Sequence, residues 1–349
     1  MYRGLELTDT EIQHLNPNQA VEFFRELLWA EASETDVIQS STHVPTAITV
    51  PDGGLDAKIE NAIPSREDII PAGDSGFQIK SSDMEPKKCR QEVRSDSGSG
   101  LKSRIDELLD NGGTYIMVVF EELVGVAPQH NKDKLERRKI ALEEEFEDHG
   151  YPDADVRIYD CSKLVGFVNG FPALIAKYKG IDHVVDHSTW SRSATRDVEE
   201  FFPDEKREEQ IESIREILRD PNEHCPVIRV TGLPDVGKTR LVYEALAEDD
   251  LQERVIYSRA REFECSGVAS RLRTDTDWSA IIIIDNCSAE DHEHFQQRFD
   301  AESDRLALIT ISDDSISTGA DHEITVEQLE QNQVKAMLES LDLEVDEHA

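Results

Sequence analysis

Positive charge is what this chain is short of. Its 349 residues carry 37 Lys and Arg against 74 Asp and Glu, a formal charge of -37, and only 14 of the cations are lysines. The acids run from end to end rather than gathering in a tail, so the imbalance belongs to the whole surface. Spread acidity with scarce lysine fits a protein adapted to concentrated salt, where self-repulsion is screened. The negative charge does not by itself exclude a nucleic-acid substrate. Disorder is a poor fit, because an apolar run such as Tyr115-Ile116-Met117-Val118-Val119-Phe120 needs a core. Cysteine is sparse too. Cys89, Cys161, Cys225, Cys265 and Cys287 are odd in number and lack paired spacing. That argues against a disulfide framework and a zinc site, and for reduced thiols in a cytoplasm. No stretch reaches transmembrane length, and the N-terminus lacks a basic-then-apolar signal pattern. The expectation is a soluble cytoplasmic protein with no membrane partner and no internal repeat.

The most informative stretch that is present is Gly232-Leu233-Pro234-Asp235-Val236-Gly237-Lys238-Thr239, followed by Arg240. An apolar strand (Val227, Ile228, Val230) enters it, and a helix-compatible run, Leu241 to Leu246, leaves it. Gly232 and Gly237 let the backbone wrap a polyphosphate, so that successive N–H groups and a helix N-terminus face the anion. Lys238 is placed to reach the β- and γ-phosphates, and the Thr239 hydroxyl to ligate Mg²⁺. Ile281-Ile282-Ile283-Ile284-Asp285 reads as a fully buried strand ending in a carboxylate, the second metal-binding element such a site needs. The expected cofactors are ATP and Mg²⁺.

Length allows two domains. The first, 1–182, is expected to be an α/β unit. It should hold a helix from Asn16-Pro17-Asn18 to about Ala32, then short strands at 47–50, 55–59 and 76–80. A helix at 103–109, a strand at 115–120, a charged helix at 132–148, a strand at 156–159 and a closing helix at 162–178 should follow. Residues 183–205 read as a linker. The second domain, 206–349, opens with a helix at Lys206 to Leu218 and alternates strands with helices, as a parallel nucleotide-binding sheet requires. A last helix is expected at about Val326 to Leu341.

A second constellation lies in the first domain: Pro51-Asp52-Gly53-Gly54-Leu55-Asp56, then Phe77-Gln78-Ile79-Lys80. Metal-assisted phosphodiester hydrolysis needs a carboxylate for Mg²⁺, a second oxygen ligand and a cation near the attacked phosphate. Strand alternation places Gln78 and Lys80 on one face. Asp56 on the preceding strand supplies a carboxylate to that face, and Lys80 is the group to orient or deprotonate water and stabilise developing charge. Lys87, Lys88, Arg90, Arg94, Lys102 and Arg104 crowd the stretch after Lys80 and read either as phosphate contacts or as a solvated helix and loop.

This pattern resembles the PD-(D/E)xK nuclease superfamily in the variant with Gln for the second acid. Glu22 matches the acidic residue that many members carry on their first helix. Taken with the phosphate loop, the segment Val21 to Ala32 and Asp285-Asn286-Cys287, the chain is similar to antiviral STAND-type NTPases: a restriction-endonuclease-like effector domain ahead of a P-loop NTPase domain. The resemblance implies a nucleotide-switched DNA endonuclease that acts as a homo-oligomer. It also implies a trigger-recognition region, expected here from a partner chain or a longer form. Asn286 stands where hydrolytic members have a second acid, and Ser312-Asp313-Asp314 lacks a phosphate-sensing Arg, so turnover is expected to be slow or absent. A non-catalytic switch with a degenerate nuclease fold, and a restriction- or repair-type motor, remain as other readings.

Overall fold

The computed structural model describes residues 5–35, 37, 42–43, 53–82, 84–96, 98–123, 133–194, 201, 203–220, 222–272, 277–299, 305–314, 319–329 and 334. The chain divides into two compact units, Glu6–Gly170 and Phe171–Ala349, the latter joined by Met1–Leu5. The break therefore falls earlier than the expected 182. Gly170 and Pro172 account for it. They interrupt the single helix expected at 162–178, leaving one helix in each unit.

The first unit contains helices α1 (Asp9–Gln13), α2 (Pro17–Glu34), α3 (Pro86–Val93), α4 (Ser103–Asp110), α5 (Lys134–Asp148) and α6 (Cys161–Val168). Its strands are β1 (Thr42–His43), β2 (Ala57–Ala62), β3 (Gly73–Lys80), β4 (Thr114–Val119) and β5 (Val156–Tyr159), in spatial order β1-β2-β3-β4-β5. β2 pairs antiparallel with β1 and β3, whereas β3, β4 and β5 run parallel. Asn16 caps α2 by accepting from Asn18 N and Gln19 N. The helix lays Phe23 and Phe24 on Phe120 and Phe77, on one face of the sheet. The other face carries Tyr115, Met117 and Val119, packed with Cys89 and Val93 of α3, Ile105 and Leu108 of α4, and Leu142 and Phe146 of α5. Gln78 pairs with Met117 and Lys80 with Val119, so both point to this second face. The strand expected at 47–50, together with Pro51 and Asp52, lies outside the described residues, as does most of the expected helix at 326–341.

The second unit contains α7 (Pro172–Tyr178), β6 (Val185–Asp186), α8 (His187–Ala194), α9 (Glu205–Arg219), β7 (Val227–Thr231), α10 (Lys238–Ala245) and α11 (Asp249–Gln252). After these come β8 (Val255–Arg259), α12 (Ala260–Cys265), α13 (Gly267–Arg271), β9 (Ala280–Asp285), α14 (Ala289–Phe299), β10 (Leu306–Ile311) and β11 (His322–Thr325). The strand order is β11-β7-β10-β9-β8-β6, parallel except for β6. The Ile run in β9 is buried on both sides. Ile282 and Ile284 pack with Phe263, Phe295 and Phe299, while Ile281 and Ile283 pack with Ile214, Leu241 and Val242. A sheet covered by helices on both faces explains the unbroken apolar run.

The expected linker at 183–205 needs correction. β6 extends the sheet by pairing antiparallel with β8. α8 buries Trp190, whose ring stacks on Tyr257 at 4.7 Å, and His187 stacks on Tyr243 at 4.4 Å. The polar composition of the segment hid two aromatic anchors. Trp190→Ala should therefore cost roughly 3–5 kcal/mol in equilibrium unfolding of the second unit. A cost below about 1 kcal/mol, the range of surface substitutions, would return the segment to the status of a linker.

Candidate functional site

The phosphate loop joins the end of β7 to α10, as the sequence implies. Gly232 and Gly237 have φ of 151° and 91°, and Asp235 is left-handed at 61°. A Cβ on Gly232 would lie 2.4 Å from the carbonyl oxygen of Val326. That position needs glycine both for its backbone conformation and for the close approach of the segment leaving β11. Leu233, Pro234 and Asp235 are exposed at the tip, and Val236 is buried beneath them. Arg207 of α9, itself buried, donates to Val236 O at 2.6 Å and Glu327 O at 3.1 Å. It pins the loop to the segment after β11. A cavity of about 350 Å³ beside this clamp is lined by Asp204, Lys206, Arg207, Gln210 and Glu327.

Lys238 is only 6% exposed. Its ammonium donates to Gly232 O at 3.1 Å and Leu233 O at 2.7 Å, and it pairs with Asp313 Oδ1 at 2.7 Å. Thr239 Oγ1 donates to Asp285 Oδ2 at 3.1 Å, and the same oxygen accepts from the Tyr257 hydroxyl at 2.9 Å. Asn286 N donates to Asp285 Oδ1 at 2.8 Å. Burial and the Asp285 charge push the Tyr257 hydroxyl up, so it remains a donor. A hydroxyl and a carboxylate converging beside the phosphate loop suit Mg²⁺, which takes one or two protein oxygens and completes its shell with phosphate and water. Arg240 does not join this group. It pairs with Glu244 one turn along α10 at 2.6 Å and lies over the Phe201 ring. Tyr257 and Asp313 are the residues the sequence did not reveal, since neither belongs to a spacing pattern.

In the first unit, Gln78 and Lys80 come together around a residue missed in the sequence, while Asp56 bonds the β3 backbone at Phe77 and Ile79. Glu92 of α3 accepts from Lys80 Nζ at 2.7 Å, Lys102 Nζ at 3.2 Å and Gln78 Nε2 at 3.3 Å. Burial would push the Glu92 carboxyl up; the Lys80 hydrogen bond and the two ammonium charges outweigh it and hold the group below its ordinary range. Asp56 Oδ2 accepts from Ile79 N at 2.6 Å. Gln78, 2% exposed, has its amide oxygen bonded to the Tyr115 hydroxyl at 2.5 Å. Burial, then neighbouring acidic groups, keeps that hydroxyl protonated. The oxygen assigned to metal is thus engaged with a buried phenol.

Three further expectations change. Glu22 is exposed on α2 and makes no hydrogen bond or ion pair among the described residues; its helix packs on the face opposite Gln78 and Lys80. Arg90 pairs with Glu144, and Arg94 binds Glu145 through two nitrogens at 2.6 and 2.7 Å. These two cations tie α3 to α5, so α3 is more than a solvated helix. Of the six cations, Lys87, Lys88 and Arg104 have exposed side chains that are unpaired among the described residues, whereas Lys102 pairs with Glu92. The Gly53-Gly54 turn has a packing reason, because Cβ atoms there would strike the side chains of Arg104 and Lys102 at 2.8 and 2.6 Å.

No family model matches the chain, and no curated protein matches it. Among solved structures, that of C. elegans PCH-2 is similar over 43% of this chain and 50% of that chain, at 12% identity and a TM-score of 0.28. The aligned part spans half the length of that protein chain. Among the described residues no helix is long and apolar enough to cross a membrane, and no group of three or more His, Cys, Asp or Glu is gathered for a metal ion.

Gly232→Ala should destabilise the second unit by about 1–3 kcal/mol and weaken binding of a labelled ATP analogue. Gly166→Ala, where a methyl meets nothing within 4 Å, should be neutral or slightly stabilising. Urea unfolding of both variants checks this; equal behaviour would remove the close-contact argument.

Proposed function

We propose that this chain binds a nucleoside triphosphate with Mg²⁺ at Gly232–Thr239 and Asp285, and that the nucleotide state switches the first unit, a nuclease-like domain directed at DNA. The observation that carries the proposal is the convergence at the end of β7. A glycine-strained loop, a buried lysine and a hydroxyl–carboxylate pair meet at a helix N-terminus. In this reading the loop N–H groups hold phosphate oxygens, and Lys238 neutralises charge between the outer phosphates. Thr239 and Asp285 hold the metal ion, which supplies charge neutralisation across those phosphates. Asn286 has no group to take a proton from water, so hydrolysis is slow and the site serves as a switch. In the first unit, Asp56 holds metal and Lys80 stabilises charge at the attacked phosphate.

A second reading has a specific observation behind it. With the Gln78 oxygen on Tyr115 and Lys80 neutralised by Glu92, the first unit can serve as a DNA-binding or scaffold domain without cutting. Arg90 and Arg94 contribute to its folding in either case.

Lys238→Ala should weaken ATP-analogue binding by at least tenfold, as loss of a charged hydrogen-bond donor worth roughly 1.5–3 kcal/mol implies, while the first unit stays folded by circular dichroism. Unchanged affinity would refute the nucleotide site. For the first unit, plasmid nicking in molar salt with Mg²⁺ and ATP decides between the readings. Cutting that is lost in both Asp56→Ala and Lys80→Ala supports a nuclease. No cutting by wild type, with DNA binding weakened by the double change of Lys87 and Lys88 to Ala, supports the scaffold.

A further inference from the structure

We infer that Asp313 is a specificity-determining residue of the nucleotide site: its carboxylate competes with the terminal phosphate for Lys238 and so biases the site toward a diphosphate. The inference rests on the nucleotide reading above. The Lys238 ammonium donates to two loop carbonyls, Gly232 O and Leu233 O, and is ion-paired with Asp313 Oδ1 at 2.7 Å, so three oxygens already crowd the one nitrogen. An incoming phosphate oxygen must displace one of them. Two are neutral carbonyls of the loop itself, and Asp313 alone is anionic.

The fold fixes where Asp313 stands. β10 lies between β7, which feeds the phosphate loop, and β9, which ends in Asp285. A residue just past the end of β10 therefore arrives between the loop and the metal-binding carboxylate. That is the side on which Thr239 and Asp285 would hold a metal ion, which would neutralise charge on the outer phosphates. The chain cannot easily carry Asp313 away, because its neighbour is moored. Asp314 pairs at 2.6 Å with Arg229, which is fully buried on β7, and Asp314 N donates to Ser312 Oγ at 3.2 Å. Asp313 itself is 58% exposed by side chain, and Lys238 is its ion-pair partner among the described residues. A diphosphate is held by the loop N–H groups and can take up Lys238 in exchange for a loop carbonyl. A triphosphate brings its last, doubly charged group against a carboxylate held in place, and like charges at contact distance repel.

The test titrates the full chain, wild type, Asp313→Asn and Asp313→Glu, with ATP and with ADP by calorimetry at fixed Mg²⁺ in high salt. Asp313→Asn should tighten ATP by about tenfold, equivalent to ~1.4 kcal/mol, and ADP by less than about threefold, ~0.65 kcal/mol on the same scale. Asp313→Glu, which restores the charge, should keep the wild-type preference. Equal changes for both nucleotides would overturn the inference. So would Mg²⁺-dependent loss of ATP in Asp313→Asn, which would make Asp313 a metal ligand. If none of the three proteins binds either nucleotide, the nucleotide reading itself falls and takes the inference with it. If all bind but the ratio stays constant, only the inference falls.

Discussion

A buried ammonium cannot be left without acceptors, and much of the second unit is arranged around satisfying that of Lys238. Desolvating a charge is costly unless hydrogen bonds and counter-charge replace water. The loop turns its carbonyls inward to Lys238, and β10 delivers Asp313 to the same nitrogen. The left-handed glycines, the moored Asp314 and the parallel order of β7, β10 and β9 all serve to hold those acceptors in place.

The first unit pairs two of its lysines similarly, although they are only half-buried. Lys80 and Lys102 share the carboxylate of Glu92, and Gln78 adds an amide donor to it. In a chain with twice as many acids as bases, a functional lysine seldom stands free. Lys238 and Lys80 each carry an anion of their own unit. Arg90 and Arg94 show the complementary outcome, in which cations that looked available are consumed by Glu144 and Glu145 across a helix pair.

What was legible in the sequence followed chemistry that is local in the chain. The phosphate loop is contiguous, so its strand, turn and helix could be read directly, and the Ile run of β9 announced a doubly covered strand. Gln78 and Lys80 shared a face by simple alternation. Contacts made by residues distant in sequence were not legible. Glu92 sits in a short charged helix whose composition reads as solvated, and only its approach to β3 makes it part of a site. Asp313 resembled one more acid among many. Trp190 lay in a segment polar enough to pass for a linker, although a single buried indole stacked on Tyr257 suffices to anchor it. Glu22 misled for the opposite reason: a position on a helix says nothing of which sheet face that helix covers.

The Val326 carbonyl lies where any side chain on Gly232 would have to go, and Arg207 grips the loop at Val236 and the chain at Glu327 with one nitrogen. The exit from β11 and the floor of the loop are therefore one mechanical body. Whatever displaces residues 326 and 327 also displaces the loop at Gly232 and Val236. Thermodynamic reciprocity then holds in both directions. A ligand that reshapes the loop exerts force on the exit, and tension on the exit retunes the grip on the ligand by the same free energy.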